Sequence, residues 1–369
     1  MTQHSGHSPV RTLDDVDQAL VHALQIAPRA GWNEIGAVLG LDAVTVARRW
    51  HRLTEAGAAW ISCSPSPALA SAGQGLLAFV EVDCASGSLL TVAQSLAQLP
   101  HVSTVEHVSG DRDLLLTVMA PDLAALTHWV TRGIGAMPGI VATRTHLANT
   151  VYAEGSRWRL RVLDRTQIAR LADTGATRAE APVFPLTDLD HALVAALSMN
   201  GRATYRALAD ACGASPDTVR RRLGRLFAAG MLQTRCEVAR PLSEWPITVI
   251  QWGRAAAGEL ERVSRGVTGA REVRLCAGVT GRNNVLVVAW VKSLADVQRF
   301  EVRLAQRVPG LEITDRAVAL WPLKLSGHLL DEEGYRIGGV PLDVRTAGAI
   351  PRSGAPRSAA RPPERSGDV

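Results

Sequence analysis

Four arginines, Arg220, Arg221, Arg222 and Arg225, crowd the stretch "SPDTVRRRLGRL" at 215–226, and Val219, Leu223 and Leu226 recur among them at helical spacing. At about 100° per residue the three apolar residues share one stripe of a helix. Asp217, Arg220, Arg221 and Arg225 fall on the opposite side, with Arg222 at its flank. Guanidinium groups in such an array grip phosphates as charges and guanine edges as bidentate donors. A merely solvated helix mixes signs, whereas here only Asp217 offsets the arginines. The chemistry is recognition of a polyanion, and the helix is shaped to enter a DNA major groove.

A second stretch, "DAVTVARRWHRL" at 42–53, repeats the arrangement with Val46, Trp50 and Leu53 in the seam and Thr45, Arg48, Arg49 and Arg52 around it. The expected DNA-contacting set is therefore Thr45, Arg48, Arg49 and Arg52, with Asp217, Thr218, Arg220, Arg221, Arg222 and Arg225 from the later copy. The two are unequal, because Ala47 stands where the later copy has Arg220, and the first lacks the Ser215-Pro216 start. Neither catalytic nor metal-binding chemistry is evident. Five cysteines lie far apart with no C-x-x-C, and no histidines cluster at ligand spacing, so neither a disulfide framework nor a metal site is expected. No cofactor is implied.

The elements that must position these helices are written twice. Sliding Asp17 onto Asp190 superposes "LDDVDQALVHAL" on "LTDLDHALVAAL", and the same shift brings Arg29 onto Arg202, Gly40 onto Gly213 and Arg48-Arg49 onto Arg221-Arg222, with no gap from 13 to 59. Each copy predicts three helices. A first helix is capped near Asp14 or Thr187, a short second one spans 33–39 or 205–212, and a glycine-containing turn leads to the arginine-faced third. The period then changes. Each half continues as strand, helix, strand, loop, strand, helix, strand, the β-α-β-β-α-β order of a ferredoxin-like sandwich. The fold class is α+β, with two winged helix-turn-helix domains alternating with two ferredoxin-like domains. The expected division is a disordered start at 1–12, a head at 13–62, a sandwich at 75–151 and a linker at 152–185. A second head at 186–240, a second sandwich at 245–325 and a disordered basic tail at 341–369 follow.

Together these motifs resemble the Lrp/AsnC (feast/famine) family of transcription regulators, here in a tandem-duplicated form. The carrying stretches are "LDDVDQALVHAL", "LDAVTVARRWHRLTEAG", "LTDLDHALVAALSMNGRATYRALADACGASPDTVRRRLGRLFAAG" and the "SGDRDLLL" loop. The resemblance implies double-stranded operator DNA as partner and recognition helices at 43–56 and 216–229. It also implies sandwich domains that dimerise, so a homo-oligomer is expected, and that often sense amino acids or related small metabolites. Effectors in the family bind near a G-x-x-D loop, which places Gly110, Asp111 and Asp113 as effector-binding residues. The second copy carries Asn284 where Asp113 stands, and an amide loses the charge that would meet an ammonium group.

A net charge of +5 permits a polyanionic partner. No apolar run is long enough to span a membrane, and the polar start has no secretory h-region, so a soluble cytoplasmic, nucleoid-associated protein is expected. Related tandem proteins act as sirohaem decarboxylases, which is the competing enzymatic reading. His101, His107, His128 and His146 all fall in the first sandwich, and the parity of His101 and His107 suits a surface or interface. The arginines that would hold acidic propionates concentrate instead on the recognition helices, and aromatics at 4% offer little to stack on a macrocycle. A non-enzymatic interaction module with degenerate heads is the third reading.

Overall fold

The computed structural model describes residues 10–175 and 182–348. The first head comprises α1 (Asp15–Ile26), α2 (Trp32–Leu39) and α3 (Ala43–Glu55), followed by β1 (Ala59–Pro65) and a short α4 (Pro67–Ser71). The first sandwich follows as β2 (Leu76–Cys84), α5 (Leu89–Ala97), β3 (Val102–Val108), β4 (Leu114–Ala120), α6 (Leu123–His128) and β5 (Ile140–Ala153). After α7 (Arg165–Gly175) the plan repeats. The second head has α8 (Asp188–Met199), α9 (Tyr205–Cys212), α10 (Pro216–Ala228) and β6 (Leu232–Val238). The second sandwich has β7 (Ile247–Arg254), α11 (Leu260–Thr268), β8 (Val273–Val279), β9 (Val285–Val291), α12 (Ala295–Arg307) and β10 (Glu312–Leu325), and a hairpin of β11 (His328–Leu330) and β12 (Arg336–Gly339) ends it.

The two sandwich domains pair within the chain. Their strands run β3-β4-β2-β5-β8-β9-β7-β10, and β10 returns to β3, so the two sheets close into one ring. Closure removes the exposed edges that each sheet would otherwise present. Alternate side chains of both sheets, among them Phe79, Leu115, Ile250, Trp252 and Leu286, fill the space between them. The opposite faces bury their own cores under the helices, Leu96, Leu116 and Trp129 in the first repeat and Val263, Phe300 and Leu304 in the second.

One buried ion cluster explains why first pairs with second. Arg112 is flanked by Glu81 at 3.2 Å and by Asp315 of the other repeat. Asp315 lies opposite Trp252, and its counterpart in the first repeat, Arg144, lies opposite Glu81. If two first repeats paired with each other, Arg112 would meet that arginine and like charges would be buried together. Hydrogen bonds to charged groups are worth about 1.5–3 kcal/mol. Asp315→Arg should therefore lower the thermal unfolding midpoint well below that of Asp315→Asn. Equal losses from the two variants would show that charge does not set the pairing.

Two expectations are corrected here. Residues 152–185 are not a bare linker, since α7 and the segment before it complete the first head. Leu163 and Leu171 join that head's core. The His22 imidazole accepts the Val162 and Leu163 N–H groups at 3.1 and 3.0 Å. Burial, then Arg159 and Arg161, lower its pKa to about 4, which keeps it the neutral acceptor these bonds need. Nor does the tail begin at 341. Leu342 and Ala347 are fully buried, and Arg345 pairs with Asp188 and Asp343. Arg352, Arg357, Arg361 and Arg365 lie outside the described residues.

Candidate nucleic-acid interface and ligand cavity

Each recognition helix is started and stopped by its own sequence. The Asp42 carboxylate accepts the Thr45 N–H at 2.8 Å to cap α3, and Ser215 accepts that of Thr218 at 3.2 Å to cap α10, with Pro216 in the first turn. Gly40 and Gly213 end the preceding helices in the left-handed region, which turns the chain into the recognition helix. Val46, Trp50 and Leu53, and likewise Val219, Leu223 and Leu226, are buried as their spacing predicts. At the far end of α3, Arg336 of the terminal hairpin donates its N–H to the Gly57 carbonyl at 3.0 Å and its guanidinium to the Thr54 carbonyl at 3.0 Å. The Arg336 carbonyl sits where a Cβ on residue 57 would be, 2.3 Å away, so only glycine admits this contact.

The arginines divide into two groups, and the inward one includes Arg222, which its spacing had placed at the flank of the helix. Arg222 turns back into its head and makes two bonds to the Asp190 carboxylate, which is fully buried. Arg49 does the same with Asp17 at 2.9 Å and Asp14 at 2.8 Å, and Arg52 also reaches Asp17. Arg222 and Arg49 are thus engaged by acids of their own heads, whereas Arg52, paired with Asp17, remains half exposed. The pair was visible in principle, since acid and arginine recur 32 residues apart in both copies. Thr45 and Thr218 give their N–H groups to the caps. Arg220 pairs with Asp217 at 2.8 Å on the exposed face, and Arg225 lies over the Phe184 ring at 4.7 Å. Arg48 and Arg221, at equivalent positions, are exposed and have no ion-pair partner among the described residues.

A reciprocal clasp joins the heads. β1 pairs antiparallel with β6, so the wing is one two-stranded sheet built by both heads. The Arg29 guanidinium donates to the Gly201 and Ala203 carbonyls, and Arg202 donates to those of Pro28 and Ala30 at 2.7 and 2.8 Å. Arg202 also stacks on Trp32 at 3.8 Å, and Arg29 faces Tyr205 at 5.7 Å. Trp32 therefore serves packing. The two heads form a local pseudo-twofold pair.

The Gly110–Asp113 loop is structural in large part. The Asp113 carboxylate accepts the Cys84 N–H at 2.7 Å, and the Asn284 amide accepts that of Ala255 at 2.9 Å at the equivalent place. In the second copy an amide makes the same bond, so this bond by itself does not require the charge on Asp113. Each loop also docks on the other repeat, Ser109 on Val318 and Thr280 on Leu147, all at 2.9 Å. Asp111 is exposed beside the buried Arg112. His101 is buried against Trp129 and bonded to Thr346 at 2.9 Å, not at a surface. Burial, then Lys324, lower its pKa to about 4.

A cavity of about 200 Å³ lies toward the other end of the same strands, where the shared wing sheet meets both sandwiches. Sequence reading missed it, because its wall is assembled from both heads and both repeats. Three arginines line it, and each has one acid. Arg235 bonds Glu154 at 2.9 Å, Arg274 bonds Glu237 at 2.9 Å, and Arg240 stands 3.5 Å from Glu106. The charges of the site cancel.

A model of the Lrp/AsnC ligand-binding domain matches residues 77–158, and a model of the AsnC-type helix-turn-helix domain matches 13–54 and again 186–226. The uncharacterized HTH-type transcriptional regulator y4tD of Sinorhizobium fredii is 30% identical over 118 residues, 31% of this chain and 70% of that protein. The HTH-type transcriptional regulator FL11 of Pyrococcus horikoshii is 28% identical over 144 residues, 38% of this chain and 93% of that protein. Among solved structures, the siroheme decarboxylase NirDL in complex with an iron-uroporphyrin III analogue superposes with a TM-score of 0.57 at 13% identity, covering 91% of this chain and 96% of that one. At that identity the likeness is one of fold. Among the described residues no helix is long and apolar enough to cross a membrane.

Proposed function

This chain belongs to the Lrp/AsnC family of helix-turn-helix transcriptional regulators, and from that premise we propose that it binds operator DNA sequence-specifically through both heads of one chain. The observation that carries the reading is the reciprocal clasp. Arg29 and Arg202 and the shared β1–β6 sheet hold two recognition helices as a pseudo-twofold pair, each with an exposed arginine at the same place, Arg48 and Arg221. A twofold reader matches a pseudo-palindromic site whose half-sites repeat at about 10–10.5 base pairs or multiples of it. Of the expected contact sets, Arg48, Arg52, Asp217, Arg220, Arg221 and Arg225 are exposed on the heads, and Gly110 and Asp111 on the loop. An amino acid or related small metabolite is the effector we favour, acting in the cytoplasm, and pairs of chains would bring four heads to longer operators.

In a gel shift against the chain's own upstream region, the complex should survive competitor DNA. The logarithm of its binding constant should fall linearly with the logarithm of salt concentration. Equal affinity for every duplex tested would overturn the reading.

A second reading, a tetrapyrrole enzyme, is favoured by the whole-chain likeness to NirDL. Against it stands the cavity. At about 200 Å³ it lies below the usual range of pockets for drug-sized ligands, about 300–1,000 Å³. Its paired charges also offer no surplus of cations to a macrocycle rich in carboxylates.

A further inference from the structure

We propose, on the operator-binding reading above, that the two heads select unlike half-sites. Helix α10 seats its backbone against the duplex at Gly224, and α3 reads a thymine methyl group through Val44. The two recognition helices are not equivalent on the face they turn outward. Arg48 matches Arg221 and Arg52 matches Arg225, but Val44 stands where α10 has Asp217, and His51 where it has Gly224. Both differences fall on residues that their own fold does not explain.

Gly224 lies in the interior of α10, on its exposed face. Glycine weakens a helix interior relative to alanine. Nothing in the chain calls for it here. A Cβ at this position would meet nothing within 4 Å beyond the helix's own backbone, and Gly224 is not among the glycines with positive φ. The use that is left is close approach of the backbone to a partner. A duplex seated there meets main chain between Arg221 and Arg225, which brings the Arg221 guanidinium nearer the base edges. On α3 the exposed His51 imidazole fills the equivalent place, its Nε2 3.2 Å from the Glu55 carboxylate, and holds that helix further out.

Val44 sits in the first turn of α3 and is 76% exposed. A β-branched side chain lowers helix propensity, and this one gains almost nothing from burial. Residues at the N-terminal end of a recognition helix contact base edges, and an apolar side chain there packs on the 5-methyl group of thymine. Asp217, at the same place on α10, pairs with Arg220 at 2.8 Å on the exposed face. A carboxylate accepts from the cytosine amino group and an arginine donates to guanine, so these residues together with Arg221 suit G·C pairs. One chain thus joins two readers of different base preference in a fixed order, through the clasp of Arg29 and Arg202. Its operator has a direction.

The test is selection of bound duplexes from a random library by the full chain, followed by gel shifts on the selected site. That site should hold two unlike half-sites, one of them with thymine at a fixed place. Deoxyuridine at that place removes only the methyl group. It should weaken the wild type about fourfold, while Val44→Ala binds the thymine and deoxyuridine duplexes within about twofold of each other. Gly224→Ala should raise the thermal unfolding midpoint and yet weaken operator binding about tenfold or more, because the added methyl group draws Arg221 back from its base. Two identical half-sites, equal sensitivity of wild type and Val44→Ala to deoxyuridine, or undiminished operator affinity in Gly224→Ala would each overturn the proposal. A chain that selects no sequence at all fails the operator-binding reading itself, whereas specific binding to identical half-sites fails only the asymmetry.

Discussion

Asp190→Ala is expected to destabilise the second head by about 3–5 kcal/mol, the cost of leaving one member of a buried ion pair without its partner. Asp190 has no exposed surface, and both its oxygens are engaged by Arg222. The same carboxylate closes the capping box of α8, where it accepts from the Thr187 N–H at 2.6 Å and its hydroxyl at 2.8 Å. One substitution therefore strands an arginine and uncaps a helix. Hydrogen exchange should report the loss as deprotection of α8 and α10, with the two-sheet ring still protected. The pH dependence has a defined sign. Burial works to raise the Asp190 pKa, but the bonds from Arg222 and Thr187 outweigh it and hold the group below its ordinary value of 3.8. A depressed folded pKa contributes stability that is present in full above the unfolded value and lost as pH falls through the folded one. The difference between wild type and Asp190→Ala should thus be constant near neutrality and shrink below about pH 4. A difference that persists undiminished into strong acid would show that the ion pair is not its source.

Arg221→Ala should weaken operator binding by about 1–3 kcal/mol, roughly 5- to 150-fold, and relax specificity at one base pair. Arg221 is exposed near the middle of α10 with no competing acid among the described residues, whereas its neighbour Arg222 is committed to Asp190. Arg48→Ala, at the equivalent place on α3, should cost less. There Ala47 replaces Arg220 and Arg52 is drawn to Asp17, so fewer cations support the contact. Arg225→Ala should lower affinity for operator and random duplex together and reduce the salt slope by about 1, the behaviour of a phosphate contact. Arg222→Ala is the informative control. It should abolish binding with a lowered unfolding midpoint, while Arg221→Ala leaves the midpoint unchanged. If Arg48→Ala proves the worse lesion, the first head is the principal reader.

The sequence by itself determined the parts of this protein that depend on neighbours along the chain. Apolar residues at helical spacing placed Val46, Trp50 and Leu53 inward, and short-range caps such as Ser215 and Thr204 set where helices begin. The duplication, the change of period after each head and the order of strands were likewise legible, because each is a local pattern written twice. Tertiary structure alone decided the rest. Arg221 and Arg222 are adjacent and chemically identical. Which one faces solvent depends on an aspartate brought alongside by another helix, and periodicity does not report the partner across a helix–helix contact. The same holds for the sheets. A strand's alternation shows that a face is buried, but not against which copy, and the choice here rests on Arg112 meeting Asp315 rather than Arg144. The cavity is the extreme case. Glu106 and Arg240 come from different halves of the chain, and only the closing of the ring against the shared wing brings their charges to face each other.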